Sequence, residues 1–181
     1  EEQRQRFLPK LTSMEWLAGY CLTEPGSGSD AAALKTRAVR SGGDYVLNGT
    51  KQFISGAGAN DVYVVMVKTG ADGPKGISTI VVPKDAPGLS FGANEQKMGW
   101  NMQPTRQVIF EDCKVPAENL LGGEEGKGFA QLMQQLPQER LLIAVGAVAT
   151  MHRAITETTA YVRQREVFGK PLMALQNTRF K

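Results

Sequence analysis

The residues best suited to binding chemistry lie in a turn of small residues that follows an apolar segment. The stretch Tyr20–Asp30 has an apolar start and then contains one proline, two glycines, two serines and one aspartate. Such residues give the backbone access to conformations closed to bulkier residues and leave its N–H groups exposed. We therefore expect this turn to bind a phosphate group or an electron-poor ring.

Two other interpretations of the turn stay open at this stage. The spacing Gly26-x-Gly28-x-x-Ala31 fits a relaxed dinucleotide-binding fingerprint, with residues 31–38 as the helix that must follow. That helix would be short, and the next strand ends in Asn48 rather than in the acid that binds a ribose. The other interpretation is a turn with a purely structural role.

The segments after the turn have the composition of short strands. Asn48-Gly49 lies between two apolar runs and predicts a hairpin within residues 44–55. Further strands are expected over residues 62–68, 76–83, 89–91 and 107–113, with Pro116 ending the last one. The pattern predicts an antiparallel sandwich or barrel over roughly residues 20–118.

Helical patterns flank this region. Residues 1–11 are charged and compatible with a helix, residues 118–126 have the composition of a linker, and a long amphipathic helix is expected after Lys127. Pro137 fits the first turn of that helix and would break its middle, and residues 169–171 are expected to end it before another helix starts. The apolar face of the long helix is formed by Leu141, Val145, Val148, Ile155, Thr159 and Val162.

Composition excludes several classes of protein. The chain has 181 residues, 41% of them apolar, and 21 basic against 18 acidic residues without charge runs, so neither nucleic acid nor membrane insertion is expected. Cys21 and Cys113 lie in apolar stretches and are expected to be buried thiols, and a single histidine leaves no metal site. No signal peptide or membrane span is recognisable, so we expect a soluble protein of a reducing compartment, and the chain has the character of a piece of a longer one.

Five blocks of sequence, in this order and spacing, closely resemble the acyl-CoA dehydrogenases, and the likeness covers essentially the whole chain. The segment with residues 53–58 and 98–101 is most similar to isobutyryl-CoA dehydrogenases, whereas residues 136–144 are most similar to the long-chain enzymes. The five blocks are residues 20–30, 48–55, 110–116, 126–129 and 165–170.

The resemblance implies an α+β flavoprotein fold in which an antiparallel β-barrel precedes a C-terminal four-helix bundle. Residues 1–18 would be the tail of an N-terminal helical domain, residues 19–118 the barrel that binds flavin and substrate, and residues 119–181 the first part of the bundle.

The resemblance also implies FAD as cofactor and names the residues that would bind it. Thr23 would bond the pyrimidine edge of the flavin, Ser55 would reach its N5 atom, and Phe53 would cover the ring where many relatives have tryptophan. Three residues would reach the FAD of a neighbouring subunit in a homodimer or homotetramer, namely Arg165, Phe168 and Gln176. The other residues implied at the cofactor are Tyr20, Leu22, Gly28, Ser29 and Ile54.

For the catalytic base the resemblance offers two positions. In long-chain and isovaleryl-CoA members it lies on this helix, in a pair that matches Glu139-Arg140; in most of the family it lies beyond the end of this chain. Gln138, Arg140 and Ser29 would then contact the acyl-CoA substrate, and Arg140 would face the CoA or pair with an acid. Without the family, Glu139 near a helix start is explained by the helix dipole alone.

The implied reaction is α,β-dehydrogenation of an acyl-CoA thioester, as in fatty-acid β-oxidation or branched-chain amino-acid catabolism. Electrons would pass to electron-transfer flavoprotein, in the cytoplasm of a bacterium or the mitochondrial matrix of a eukaryote. The alternatives are an acyl-CoA oxidase that uses O2, or a non-catalytic or engineered flavin- or CoA-binding fragment. Acyl chain length stays open.

Overall fold

The computed structural model describes residues 1–181, which form two compact units. The first unit comprises Glu1–Leu132 and the second Met133–Lys181. The predicted domain boundaries after residues 18 and 118 refer to the domains of the family and stay predictions.

The first unit contains one complete helix, seven strands and the start of a second helix. The helix α1 spans Glu2–Thr12, as expected, and packs its buried Phe7 against Val62 and Val81. Short 3-10 turns occur at Ala31–Ala33, Pro74–Gly76 and Ala117–Asn119. The strands are β1 Ala18–Cys21, β2 Arg37–Ser41, β3 Asp44–Ser55, β4 Val62–Lys68, β5 Ile77–Pro83, β6 Leu89–Phe91 and β7 Thr105–Pro116.

The seven strands form one sheet in the order β1-β4-β2-β3-β7-β6, with β5 paired to β4. Most neighbours are antiparallel, but β1 is parallel to β4, and β2 meets β4 in parallel where Arg37 lies beside Lys68. The expected antiparallel sheet is therefore confirmed except at β4, which is parallel to both β1 and β2. β1 and β4 are parallel because the chain forms the β2–β3 hairpin between them, and β4 then pairs with β1.

The dinucleotide-binding interpretation is wrong. Only Ala31–Ala33 is helical, as a single 3-10 turn, and the strand β2 follows at Arg37, so no crossover helix exists. A βαβ unit needs such a helix between parallel strands.

One apolar core lies within the sheet and contains buried side chains from six of its strands. Cys21 and Cys113 belong to it as free thiols with no exposed surface, so the expectation of buried cysteines is confirmed. Burial raises the pKa of the Cys21 thiol to about 12, which keeps it protonated and unreactive. Its large buried members are Tyr45, Leu47, Ile54, Tyr63, Val65, Val67, Ile80, Val82, Val108, Phe110 and Val115.

The hairpin expected at Asn48-Gly49 is also wrong. β3 continues through both residues, and the register with β7 shifts between Leu47 and Gly49, which marks a bulge. The hairpin lies earlier, where Ser41 pairs with Asp44 across the two residues Gly42-Gly43. Gly42 has a φ of 62°, a conformation that two-residue hairpin turns require and glycine adopts without strain.

Gly49 gives a first testable prediction. Its φ is 145°, and a Cβ there would lie 2.8 Å from both Cα and Cβ of Thr36. We expect Gly49→Ala to lower the free energy of unfolding of the full-length protein by about 1–3 kcal/mol, as overpacking does. Urea unfolding measures this change. Gly43→Ala is the matched control because no atom lies within 4 Å of the added carbon, and equal losses in both variants would contradict the explanation.

The segment after β7 is fixed to the sheet rather than free. Asn119 is fully buried and its side-chain amide donates to the Val81 carbonyl at 2.8 Å, while the Leu121 amide donates to the Thr79 carbonyl at 2.8 Å. The prediction of a linker over residues 118–126 is therefore wrong for its first part, because these backbone and amide groups bond to β5.

The long helix α2 spans Gly128–Gln164. Its first residues belong to the first unit, where Phe129 and Leu132 pack against the buried Leu34 and Ile77. Pro137 lies inside the helix, so the prediction that it would occupy the first turn is wrong. The helix tolerates the loss of one backbone hydrogen bond there, since proline has no N–H to donate.

The second unit continues α2 and ends in short elements. The helix ends at Gln164, before the predicted stop at residues 169–171, which instead lie in a hairpin of β8 Glu166–Val167 and β9 Lys170–Pro171. A 3-10 turn at Leu172–Ala174 and the helix α3 Gln176–Phe180 follow, as the expected start of another helix. No helix, α2 included, combines the length and hydropathy needed to cross a membrane.

The predicted apolar face of α2 is present but mostly exposed. Four of its residues are 58–68% exposed, whereas Val162 is buried. The four are Leu141, Val145, Val148 and Ile155. Periodicity therefore predicted the helix and its stripe correctly, and the stripe is largely uncovered in the second unit.

Candidate functional site

The turn after β1 is held closed by its own backbone. The amides and carbonyls of Glu24 and Ser27 bond each other at 2.9 and 3.1 Å, and the Ser27 hydroxyl donates to the Asp30 carbonyl at 2.7 Å. Gly26 and Gly28 do not have positive φ, and nothing lies within 4 Å of a Cβ built on either. The sequence suggested that these glycines are needed for a special backbone conformation, and that expectation is wrong. Instead, they leave open space where a ligand can approach the backbone.

A buried ion pair lies beneath this turn. The Lys51 ammonium lies 2.9 Å from Glu24 Oε1, and the two side chains are 0% and 6% exposed. Lys51 also donates to the Leu22 carbonyl at 3.1 Å, and the carboxylate accepts the backbone amides of Lys35 at 2.6 Å and Thr36 at 2.9 Å. One carboxylate and one ammonium thereby connect the turn, the residues just before β2 and the middle of β3.

The hydrogen bonds decide the charge of Glu24. Burial by itself would raise the pKa of this carboxyl, but hydrogen bonding to Thr36, the Lys51 charge and the Lys35 amide together outweigh burial and hold the pKa below its ordinary value. Glu24 is therefore an anion at neutral pH, and Lys51 is its counterion.

The structure brings the turn beside the end of β3, where three further predicted cofactor residues lie. The Gln52 amide donates to the Thr23 carbonyl at 2.8 Å, so Thr23 lies next to the segment Phe53–Ser55. Ile54 is buried, whereas Phe53 is 60% exposed and Ser55 is also exposed. Tyr20 is 45% exposed at the end of β1, and Leu22 is half-buried.

Phe53 has an unusual backbone conformation. Its φ is 59°, and the β3–β7 register shifts between Lys51 and Ile54. Positive φ is uncommon for a bulky residue and is found preferentially at functional sites, where the surroundings enforce it. The bulge allows Phe53 to project from the surface while Ile54 enters the core.

The predicted residues of the second unit lie at its C-terminal end. Phe168 is 94% exposed at the tip of the β8–β9 hairpin with a φ of 50°, followed by Gly169 at 72°, the pattern of a tight two-residue turn. Arg165 is exposed, its amide bonds to the Tyr161 carbonyl at 2.8 Å, and its carbonyl accepts the Leu172 amide at 2.7 Å. Gln176 is the first residue of α3.

Glu139 lies about three turns into α2, since the helix begins at Gly128. The explanation by the helix dipole is therefore wrong, because that effect is confined to the first turn. Glu139, Gln138 and Arg140 are all exposed, and Arg140 makes no ion pair with an acid of this chain. The carboxylate is thus available to a ligand.

Sequence reasoning missed a hydrogen-bonded loop beside the end of β3. The Lys97 ammonium donates to the carbonyls of Trp100 and Gln103 and to the Thr105 hydroxyl at 2.7–2.9 Å, and Thr105 pairs with Ser55. The bonds fix a loop whose side chains at Met98, Trp100 and Met102 are 88–109% exposed. The signal was available, since three large apolar residues alternate there with Gly99 and Asn101.

Comparisons with known proteins identify the family of this chain. The profile of the acyl-CoA dehydrogenase middle domain matches residues 19–113, and that of the C-terminal domain matches residues 126–181. The mitochondrial isobutyryl-CoA dehydrogenase of Dictyostelium discoideum is 53% identical over the whole chain, which spans 44% of that protein. Mammalian long-chain acyl-CoA dehydrogenases are also among the relatives, so both resemblances in the sequence are confirmed.

Two solved structures share the fold. A probable acyl-CoA dehydrogenase of Mycobacterium abscessus superimposes with a TM-score of 0.94 at 41% identity, over 99% of this chain and 48% of that one. An acyl-CoA dehydrogenase of Bacillus anthracis complexed with FAD superimposes with a TM-score of 0.89 at 40% identity, over 99% of this chain and 30% of that one. This chain belongs to the acyl-CoA dehydrogenase family.

Proposed function

We propose that the complete protein is an FAD-dependent acyl-CoA dehydrogenase that desaturates the thioester between Cα and Cβ. The observation that carries this proposal is the juxtaposition, within one unit of a chain of this family, of the Thr23 turn with the exposed side chains of Phe53 and Ser55. Membership in the family supports FAD as cofactor, and so does the FAD bound by the Bacillus anthracis relative.

The residues present fit a flavin. The turn offers open space beside Gly26 and Gly28 for a planar ring to approach, and Phe53 offers an exposed aromatic face. We propose that Leu22 and Thr23 bind the pyrimidine edge, that Ser55 binds near N5, and that Tyr20, Gly28, Ser29 and Ile54 complete this part of the site. Arg165, Phe168 and Gln176 are proposed to bind the FAD of a neighbouring subunit, with the arginine fork suited to its diphosphate.

Side chains of this chain supply the acid–base part of the reaction. The Cα proton is a very weak acid, so its removal needs a positioned base and hydrogen-bond donors to the developing enolate oxygen. We propose Glu139 as that base, with its carboxylate taking the proton, while Gln138, Arg140 and Ser29 contact the substrate. FAD, when bound, accepts the hydride that leaves Cβ.

The proposed substrates are short branched acyl-CoA esters. Identity is 53% to the isobutyryl-CoA dehydrogenase of Dictyostelium against 41% to the long-chain enzyme of Rattus norvegicus. We propose electron-transfer flavoprotein as the acceptor, a homo-oligomeric assembly, and further helices of the complete protein that cover the exposed stripe of α2.

Anaerobic titration of the full-length protein tests the proposal. We expect bound FAD whose absorbance near 450 nm is bleached by isobutyryl-CoA more readily than by straight-chain esters, because the reduced flavin does not absorb there. The absence of bound FAD, or a flavin that no acyl-CoA bleaches, would overturn the proposed function. Hydrogen peroxide formed at the rate of turnover in air would instead identify an oxidase.

A further inference from the structure

A charged groove lies in the first unit where the Tyr20–Asp30 turn ends. It has a volume of about 650 Å³ and is bounded by Asp30, the alanines 32 and 33, the start of β2, the end of β4 and Gly73. Its size is that of a small-molecule site. Small-molecule sites are usually lined by apolar side chains, whereas five of the eight residues that line this groove are charged.

Three cationic side chains converge on this groove. Lys35 and Arg37 are both exposed while Thr36 between them is buried, as alternation along an extended segment requires. Arg37 is paired with Lys68 across the parallel contact of β2 and β4. The register of the sheet therefore places cations from two strands side by side.

The three cations are held to different degrees. Neither Lys35 nor Arg37 makes a side-chain hydrogen bond or ion pair, whereas the Lys68 ammonium bonds the Asp72 carboxylate. The hydrogen bond and charge of Lys68 lower the pKa of the Asp72 carboxyl, and the nearby charge of Arg37 lowers it further. The Asp72 side chain is 84% exposed and that of Lys68 only 9%. Exposed carboxylates are weakly held, so a multiply charged anion can replace Asp72 beside a lysine that is already positioned. The three cations outnumber the two carboxylates of the groove, Asp30 and Asp72, so its net charge is positive.

The position of the groove relates it to the proposed substrate. Asp30 lines it and directly follows Ser29, the residue of the turn that we propose to contact the acyl-CoA. A CoA thioester carries a diphosphate and a 3′-phosphate at the end remote from the acyl group, and lysine and arginine are the side chains that bind phosphate oxygens. We propose that Lys35, Arg37 and Lys68 bind the phosphates of the CoA nucleotide, an inference that rests on the proposed function.

A comparison of two thioesters tests this assignment in the full-length protein. The double variant Lys35→Gln/Arg37→Gln is assayed with isobutyryl-CoA and with isobutyryl-pantetheine, which has the same acyl group but no nucleotide. We expect KM for the CoA ester to rise about tenfold or more at low ionic strength, with kcat and the pantetheine ester unaffected. The control Lys84→Gln/Lys114→Gln removes the same charge from exposed positions outside the groove.

Three results would overturn the assignment. They are an unchanged KM for the CoA ester, an equal rise for both esters, and an equal rise in the control variant. Calorimetric binding of free CoA and of pantetheine separates this inference from the proposed function, because it needs no turnover. Loss of CoA affinity in the double variant but not in the control supports the groove even if no acyl ester reduces the flavin.

Discussion

Replacing Glu139 with glutamine is expected to lower the rate of flavin reduction by isobutyryl-CoA by about a hundredfold to ten-thousandfold, the range contributed by a positioned general base. Glutamine keeps the size and polarity of the side chain but cannot accept the Cα proton. FAD content and absorbance should be unchanged, because Glu139 is exposed on α2 and makes no hydrogen bond that the fold requires. Anaerobic stopped-flow measurement on the full-length protein gives the rate directly.

Glu157→Gln is the matched control for this experiment. Glu157 lies on the same helix and pairs with Arg153 at 2.6 Å, an exposed pair whose loss costs little. We expect its rate to equal that of the wild type. Unchanged flavin reduction in Glu139→Gln would show that the base lies elsewhere in the complete protein, and the proposed dehydrogenase would then stand without this residue.

The second large effect is expected at the buried pair beneath the turn. Lys51→Met should lower the free energy of unfolding by about 3–5 kcal/mol, since it leaves the Glu24 carboxylate buried without its counterion. Urea unfolding of the full-length protein measures the loss, and Lys84→Met is the control because Lys84 is exposed. A loss in Lys51→Met no larger than in the control would contradict the importance of the pair.

A double variant separates the pair from packing. In Glu24→Gln/Lys51→Met no buried charge remains, so we expect part of the stability lost in Lys51→Met to return. If the stability lost in the double variant equals the sum of the losses in Glu24→Gln and in Lys51→Met, the two residues act independently. Because the Leu22 carbonyl also accepts from Lys51, we expect weaker FAD binding in Lys51→Met, as the turn loses one of its connections to β3.

The pair also predicts how stability depends on pH. The folded protein holds the pKa of Glu24 below the value it has in the unfolded chain. Its contribution is therefore fully present above the unfolded pKa and is lost as the pH falls through the lower, folded value. Wild-type stability should decline in this acid range more steeply than that of Glu24→Gln. Parallel pH profiles would contradict the assignment of the shift to Glu24.

Local patterns predicted the strands well and their connections less well. Residues 62–68 and 89–91 are strands as expected, and the strand expected over 76–83 begins one residue later, because runs rich in valine and isoleucine identify such segments without further information. Asn48-Gly49 failed as a hairpin because Gly49 lies in a bulge, where it closely approaches Thr36, a residue just before β2. Pro137 failed as a helix start because the residues before it are anchored by packing on Leu34 and Ile77.

The sequence alone determined the family, the strand segments, the long helix and the turn at Tyr20–Asp30, since each depends on neighbours within a few residues or on motifs in a fixed order. Only the tertiary structure decided that Lys51 neutralises Glu24, that Phe53 projects from a bulge beside Thr23, and that Lys35, Arg37 and Lys68 share one groove. These contacts join residues that are distant along the chain. Strand register creates them, and register follows from how the whole sheet closes on its core.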